Sequence, residues 1–211
     1  MIAAAALFDM DGTLVDSTAV VDGLWAAFAD RHGIDLPVLL RHAHGRRTPD
    51  TIRHFLPDSV GRSETIAAFE AEELEVMDGI VPVPGAAGML ALLRDAPVAV
   101  VTSAPRELAA RRLRAAGLPV PDVMVAAEDV TEGKPSPQGY LAAAARLGLP
   151  PVECVAFEDA EAGLQAAIRS GAHTVVVGSH ASALTAGLPR IRDFTELTVR
   201  LESHRLVFTT P

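Results

Sequence analysis

Short apolar runs alternate with amphipathic stretches along the chain from Pro84 to Val177. The runs are almost wholly apolar, which is typical of strands that helices cover on both faces of a parallel sheet. The predicted strands are 98–102, 123–126, 154–157 and 173–177, and the predicted helices are 85–94, 106–116, 136–147 and 160–170. The pattern therefore predicts an α/β fold built on a doubly wound, Rossmann-like parallel sheet.

One further strand and a helical block precede this alternation. Residues 3–7 form an apolar run, and the segment from Ser17 to Gly79 shows helical spacing throughout. The linker 81–85 contains Pro82 and Pro84, which exclude a helix there. We therefore expect a core made of residues 1–16 and 82–211. Residues 17–81 are expected to form a small α-helical cap domain inserted over the strand ends.

Two pairs of acidic residues follow predicted strands. Asp9 and Asp11 come after the first strand, and Glu158 and Asp159 come at the end of the strand 154–157. Ligands of open parallel sheets bind beyond the carboxyl ends of the strands, so these carboxylates are expected to meet there. Crowded carboxylates repel one another unless a cation joins them, and oxygen ligands suit Mg²⁺. The sequence therefore predicts a Mg²⁺ site at this edge of the sheet.

A hydroxyl pair and a lone lysine complete the set of candidate site residues. Thr102 and Ser103 follow an apolar strand, and Lys134 lies in a turn framed by glycine and proline. Lys134 is the only lysine, because the other seventeen of the eighteen Lys and Arg residues are arginines. A compact ammonium can serve as a point charge for a phosphate or for crowded carboxylates. We therefore interpret Lys134 as part of the site and not as a solvated turn residue.

These four segments, in this order, resemble the four motifs of the haloacid dehalogenase superfamily of phosphohydrolases. The segments are DMDGTLVDS at 9–17, VTS at 101–103, GKP at 133–135 and FEDAEAG at 157–163. Within the superfamily, the chain is similar to the sugar and polyol phosphatases of the β-phosphoglucomutase-like branch. The stretch HGRRTPDTI at 44–52 is also similar to glycerol- and hexitol-phosphate phosphatases. The resemblance implies Mg²⁺-dependent hydrolysis of a small sugar or polyol phosphate.

The resemblance also implies a role for each motif residue. Asp9 is the implied nucleophile, which attacks phosphorus to give an aspartyl-phosphate, and Asp11 is the implied acid and base. The implied Mg²⁺ ligands are Asp9, the backbone carbonyl of Asp11, Asp159, and Glu158 either directly or through water. The implied phosphate-binding residues are Gly12, Thr13, Thr102, Ser103 and Lys134, with Gly12 and Thr13 offering the N–H groups of a tight turn.

A polar turn in the helical block carries the candidate contacts to the rest of the substrate. His44, Arg46 and Arg47 lie there, and their donors can bind polyol hydroxyls or a second acidic group. A solvated basic loop is the alternative interpretation of the same residues. His42 and His44 are not expected to form a transition-metal pair, because no further Cys or His ligand lies nearby to complete a site.

The resemblance leaves one rival activity open. A phosphonate hydrolase of the superfamily needs a cap lysine, which is missing here, and a halide-releasing dehalogenase lacks the second acid, which is present as Asp11. A β-phosphoglucomutase shares all four motifs and is the alternative function. Mutases carry a cap lysine and a cap histidine twelve residues past the nucleophile, where this chain has Val21. Transfer of the phosphoryl group to water is therefore favoured.

Composition limits the partners and the compartment. A net charge of −9 argues against a nucleic-acid partner. No run of about 18 apolar residues occurs, and the apolar start lacks the basic residues that open a signal peptide, so neither a membrane span nor export is expected. The single cysteine, Cys154, cannot form an internal disulfide, which fits a reducing compartment. We expect a cytoplasmic monomer whose partner is a small phosphorylated metabolite.

Overall fold

The computed structural model describes residues 1–56, 61–203 and 205–210. The strands are β1 (Ile2–Ala3), β2 (Ala5–Phe8), β3 (Val15–Asp16), β4 (Val81–Pro82), β5 (Val98–Val101), β6 (Val123–Val125), β7 (Cys154–Glu158), β8 (His173–Val177), β9 (Arg190–Ile191), β10 (Thr198–Glu202) and β11 (Arg205–Thr209). The helices are α1 (Thr18–His32), α2 (Leu36–Ala43), α3 (Thr48–Phe55), α4 (Arg62–Glu75), α5 (Ala86–Leu92), α6 (Arg106–Ala115), α7 (Gln138–Arg146) and α8 (Glu161–Ser170). Within the described ranges, every helix is too short or too polar to span a lipid bilayer.

Six strands form a parallel sheet in the order β6-β5-β2-β7-β8-β9. The first long strand, β2, is central, and Phe8 at its end pairs with Val100 of β5 and Phe157 of β7. The strand order reverses around β2, which makes its carboxyl end the topological switch point where ligands bind in such sheets. The prediction of a doubly wound parallel α/β fold is confirmed.

Helices bury both faces of this sheet. Ala6 and Phe8 point to the face covered by α5 and α6, while Ala5 and Leu7 point to the face covered by α7 and α8. Each face is therefore apolar, and all four residues of β2 are buried. The Phe8 and Phe157 rings stack with their centroids 4.9 Å apart. This contact stabilises the pairing of β2 with β7, the two strands at whose ends the acidic pairs lie.

The four helices α1–α4 lie between β3 and β4 in the chain and have their own hydrophobic cluster. Its buried members include Trp25, Phe28, Leu39, Ile52 and Phe69. The chain enters and leaves this helical block through β3 and β4, which pair antiparallel at Val15↔Pro82 and Asp16↔Val81. The linker 81–85, predicted to be non-helical, begins with the short strand β4.

The C-terminal part of the chain was expected to belong to the core, but no strand or helix was predicted beyond residue 177. Strand β9 extends the parallel sheet, and β1, β11 and β10 form a separate antiparallel sheet. Phe208 of β11 packs on Phe157, with ring centroids 5.6 Å apart, so this sheet extends the core on the α5–α6 face. Residues 198–202 alternate polar and apolar side chains, so a period-2 signal for strand β10 was present in the sequence.

Candidate active site

Asp9 directly follows the central strand β2, and only 5% of its surface is exposed. The Nζ atom of Lys134 donates to Asp9 Oδ1 at 2.5 Å and to Glu158 Oε1 at 2.6 Å. Because β2 and β7 are parallel neighbours, their ends bring Asp9 and Glu158 side by side. Three residues singled out in the sequence therefore form one buried cluster.

Burial and like charge control protonation in this cluster. Burial raises the pKa of Asp9 from 3.8 to about 7, with Glu158 adding to the rise and Lys134 opposing it. Burial alone would lower the pKa of Lys134, but the carboxylates of Asp9 and Glu158 outweigh it and raise that pKa. Burial and the same two carboxylates raise the pKa of Asp159 well above its ordinary value. Carboxylates in this state are stabilised in their charged form by a bound cation.

Oxygen atoms of Asp9, Glu158 and Asp159 lie within 4.8 Å of one another. Carboxylate oxygens are the ligands that Mg²⁺ prefers, and one ammonium does not balance three carboxylates. The residues present therefore fit a hard divalent cation. This fit rests on the donor set and on the raised pKa values of Asp9 and Asp159.

The turn after β2 approaches Asp159 closely. Gly12 has φ +87°, and a Cβ atom there would lie 2.1 Å from Asp159 Oδ2, so both the backbone angle and the space require glycine. Thr13 is fully buried, and its Oγ1 donates to Asp159 Oδ1 at 3.2 Å. The N–H groups of Gly12 and Thr13 donate to the carbonyls of Val15 and Met10. Both N–H groups therefore have partners within the turn, and the role of Gly12 and Thr13 in binding a phosphate stays a prediction.

Glu158 is the most completely bonded carboxylate of the site. Besides Lys134, its Oε1 accepts from the Tyr140 hydroxyl at 2.8 Å, and its Oε2 accepts from the N–H of Asp159 at 3.1 Å. Tyr140 is fully buried on α7, and burial raises the pKa of its hydroxyl well above the ordinary value. Tyr140 was not predicted from the sequence, although it is the only tyrosine and lies in a predicted helix that covers the sheet.

Asp11 faces a different cation. Its Oδ1 accepts from Arg112 Nη1 at 3.1 Å and from Ser17 Oγ at 2.6 Å. Arg112 also donates from Nη2 to Glu73 Oε1 at 3.1 Å, and Glu73 belongs to helix α4 of the helical block. Burial raises the pKa of Glu73, and Arg112 opposes that rise. Neither Arg112 nor Glu73 was predicted from the sequence, because each resembles an ordinary charged residue on a helix.

The two hydroxyl residues that follow β5 form hydrogen bonds with different parts of the structure. Thr102 lines the cavity next to Asp9, and its Oγ1 accepts from the N–H of Ala104 at 3.0 Å. Ser103 also lines the cavity, but its Oγ donates to the carbonyl of Gly45 at 2.8 Å. Gly45 lies in the polar turn of the helical block, so Ser103 bonds the block to the core.

The three polar residues of that turn point to different places. His44 Nε2 pairs with Asp22 Oδ1 on α1 at 2.9 Å, and His44 lines the cavity. Arg46 lines the cavity as well, with Nη1 3.4 Å from the carbonyl of Lys134. Arg47 donates to the carbonyls of Val130 and Thr131 and lies against Gly133, outside the cavity. His44 and Arg46 therefore line the same cavity as Asp9, whereas Arg47 contacts a core loop.

These residues enclose a cavity of about 180 Å³ between the sheet edge and the helical block. Its polar lining includes Asp9, Asp11, His44, Arg46, Thr48, Glu73, Thr102, Ser103, Arg112 and Asp159. Its apolar lining includes Val21, Trp25, Ala43 and Pro105. The cavity is smaller than the ~300–1,000 Å³ of drug-sized ligand pockets, so it suits a small polar molecule.

The chain is similar to known proteins over most of its length. A model of the haloacid dehalogenase-like hydrolase family matches residues 3–171. Hexitol phosphatase A of Escherichia coli (strain K12) is 42% identical over 83% of each chain. Validoxylamine A 7'-phosphate phosphatase of Streptomyces hygroscopicus subsp. limoneus is 36% identical over 91% of this chain and 94% of its own. The crystal structure of CbbY from Rhodobacter sphaeroides in complex with phosphate superimposes with a TM-score of 0.78 at 27% identity, covering 92% of this chain and 96% of that one.

Proposed function

The chain belongs to the haloacid dehalogenase-like hydrolase family, and we propose that it is a Mg²⁺-dependent phosphatase that hydrolyses small sugar or polyol phosphates through an aspartyl-phosphate. The observation that carries the proposal is the buried Asp9 carboxylate, held 2.5 Å from the only lysine at the end of the central strand. Asp9 opens into a cavity that Thr102 and Asp11 also line. A nucleophile and a second acid therefore face the same small space, and the lysine ammonium contacts the nucleophile.

The reaction follows from these roles. One oxygen of Asp9 attacks phosphorus, and the bond from phosphorus to the alcohol oxygen breaks as Asp11 gives that oxygen a proton. Asp11, now ionised, takes a proton from a water molecule, whose oxygen then displaces Asp9 from phosphorus. Inorganic phosphate leaves, and Asp9 and Asp11 return to their starting states. Lys134 offsets the repulsion between Asp9 and the incoming phosphate oxygens.

Asp9, Asp159, the Asp11 carbonyl and Glu158 are the residues that would hold Mg²⁺. When bound, the ion supplies positive charge that lets a carboxylate approach an anionic phosphoryl group. Tyr140 and Lys134 hold Glu158 in place for this role, because both donate to its Oε1. Thr13 does the same for Asp159 through Oδ1.

The substrate class follows from the cavity and from the relatives. A volume of about 180 Å³ leaves room for a phosphoryl group with a short alcohol. The lining has many donors and acceptors, which suits an alcohol with several hydroxyls. The two relatives are named as phosphatases of a hexitol and of validoxylamine A 7'-phosphate. We propose that residues 17–81 form the cap and that its residues His44 and Arg46 bind the alcohol part of the substrate.

A sugar phosphomutase is the alternative function, and Val21 weighs against it. Val21 lines the cavity with an apolar side chain at the position where the mutases carry a histidine. This position therefore offers neither a donor nor a base to a sugar hydroxyl, and the sequence of residues 17–81 contains no lysine. Water is then the acceptor that Asp11 can activate.

The test is phosphate release from a panel of sugar and polyol phosphates, with Mg²⁺, by wild-type protein and Asp9→Asn. We expect wild-type turnover of at least one polyol phosphate, no turnover by Asp9→Asn, and a phosphoryl group on Asp9 after acid quenching. Asp95→Asn makes the same change on an exposed side chain and should retain wild-type rates. Wild-type activity in Asp9→Asn would refute the mechanism, and conversion of one sugar phosphate to another without phosphate release would favour the mutase.

A further inference from the structure

Arg112 is a buried guanidinium that joins two carboxylates from different parts of the fold. It lies on α6 with 3% of its surface exposed. Its Nη1 donates to Asp11 Oδ1 and its Nη2 donates to Glu73 Oε1, each at 3.1 Å. The planar fork of arginine can serve two carboxylates at fixed angles, whereas the point charge of a lysine cannot hold both in the same way.

Packing alone does not explain this side chain. The Nε atom of Arg112 is buried and has no hydrogen-bond partner within the part of the chain that the structure describes. A buried donor without a partner destabilises a fold, and apolar residues of similar size often replace buried ion pairs without loss. The guanidinium therefore has a role beyond filling space, and its contact with Asp11 indicates which one.

Asp11 is held by two donors on the same oxygen. Its Oδ1 accepts from Arg112 Nη1 at 3.1 Å and from Ser17 Oγ at 2.6 Å. Two donors on one oxygen fix the rotation of the carboxylate and leave Oδ2 as the oxygen available for proton exchange. The Asp11 side chain is 28% exposed and lines the cavity, so a substrate can reach it.

The other end of the guanidinium is held by the helical block. Glu73 lies on α4 and is 5% exposed, and its Oε2 accepts from Thr48 Oγ1 at 2.8 Å at the start of α3. The Arg112 guanidinium therefore makes both of its hydrogen bonds only while α4 packs on α6. Movement of the block away from the core would separate Glu73 from Arg112 and leave Asp11 less firmly held.

We propose that Arg112 is a positioning residue for Asp11, and that Glu73 makes this positioning depend on the docking of the helical block. The inference rests on the proposed function, in which Asp11 exchanges protons with the alcohol and with water. Asp11 then reaches its working orientation only when the cavity is closed. Ser17, at the crossing between core and block, contributes the second donor.

The test compares Arg112→Lys and Glu73→Gln with wild-type protein on a polyol phosphate and on para-nitrophenyl phosphate. The value of kcat/KM reports the steps up to release of the alcohol, and para-nitrophenol leaves without protonation. We expect kcat/KM for the polyol phosphate to fall roughly 10- to 100-fold, the order of loss for a misplaced catalytic group, and kcat/KM for para-nitrophenyl phosphate to change far less. Slow attack by water should also produce a burst of para-nitrophenol in the variants.

Arg111→Lys is the matched control. Arg111 is the neighbouring residue on α6 and also reaches α4, since its Nη1 donates to the carbonyl of Leu74 at 3.1 Å, but it does not touch Asp11. We expect this variant to keep wild-type values on both substrates. Circular dichroism melting separates misfolded variants from folded ones.

Three results would overturn the inference. They are equal losses of kcat/KM on both substrates, unchanged kinetics in Arg112→Lys, and a full additional loss when Arg112→Lys is added to Asp11→Asn, where no working Asp11 remains to be positioned. A wild-type protein without activity on any phosphate ester would instead refute the proposed function. The two failures are therefore distinguishable.

Discussion

Replacing Gly163 by alanine tests how firmly the structure anchors Glu158. Gly163 lies in helix α8 and is buried. A Cβ atom at this position would lie 1.8 Å from Glu158 Oε1 and 2.1 Å from its carboxyl carbon. These distances are far below any real contact, so the Glu158 carboxylate must move. It is not free to move, because Lys134 and Tyr140 both donate to it and it is fully buried.

Two opposing effects set the magnitude. Alanine favours a helix interior over glycine by about 1 kcal/mol. Displacing Glu158 breaks a buried ion pair with Lys134, which costs about 3–5 kcal/mol. The free energy of unfolding should therefore fall by about 2–4 kcal/mol, and activity should fall with it because Lys134 loses one of its two carboxylates.

Urea denaturation of Gly163→Ala and Gly23→Ala measures the difference. Gly23 lies exposed in helix α1, and a Cβ atom there meets no heavy atom of the described residues within 4 Å. The same substitution at Gly23 should raise the free energy of unfolding by roughly 0.5–1 kcal/mol. If Gly163→Ala were as stable and as active as wild-type protein, Glu158 would not be anchored as the structure has it.

Two further predictions concern the cation and the polar turn. Because burial raises the pKa of Asp9 to about 7 and the pKa of Asp159 well above its ordinary value, Mg²⁺ must displace protons at acidic pH, so its affinity should strengthen by at least about tenfold per pH unit from about pH 5 towards 7. Calorimetric titrations on both sides of pH 7 check this, and a pH-independent affinity would contradict it. Arg46→Ala should lower kcat/KM for a polyol phosphate by about tenfold and spare para-nitrophenyl phosphate. Arg47→Ala removes the hydrogen bonds to a core loop, so it should lower kcat/KM for both substrates equally. A loss of kcat/KM confined to the polyol phosphate would instead indicate that Arg47 contacts the substrate.

The core of the site could be predicted because its residues follow strands. Asp9 and Glu158 each come at the end of an apolar run, and parallel strands bring their ends to one edge of the sheet. Lys134 stood out because the chain has no other lysine. In these cases a local pattern and a general rule of sheet geometry were sufficient.

The residues that the sequence did not reveal are those whose role depends on tertiary packing. Arg112 is one of four arginines on or beside helix α6, and nothing local separates it from Arg111. Glu73 lies among other acidic residues of α4, and its partner Arg112 is 39 residues away. Only the packing of α4 on α6 selects these two from similar neighbours. The same limit applied to Arg47, since adjacent arginines in the polar turn point to different surfaces.

Tertiary packing gives the two aspartates after β2 different surroundings, although they are only two residues apart in the sequence. Asp9 and Asp11 are both aspartates of one turn, yet Asp9 pairs with Lys134 and Asp11 pairs with Arg112. Asp9 is buried against other carboxylates, whereas the Asp11 side chain is partly exposed to the cavity and is bonded by a second donor, Ser17. Two carboxylates in environments that differ in this way are suited to different tasks. The carboxylate among the acidic residues suits attack beside a bound cation, and the one at the cavity wall suits proton exchange with alcohol and water.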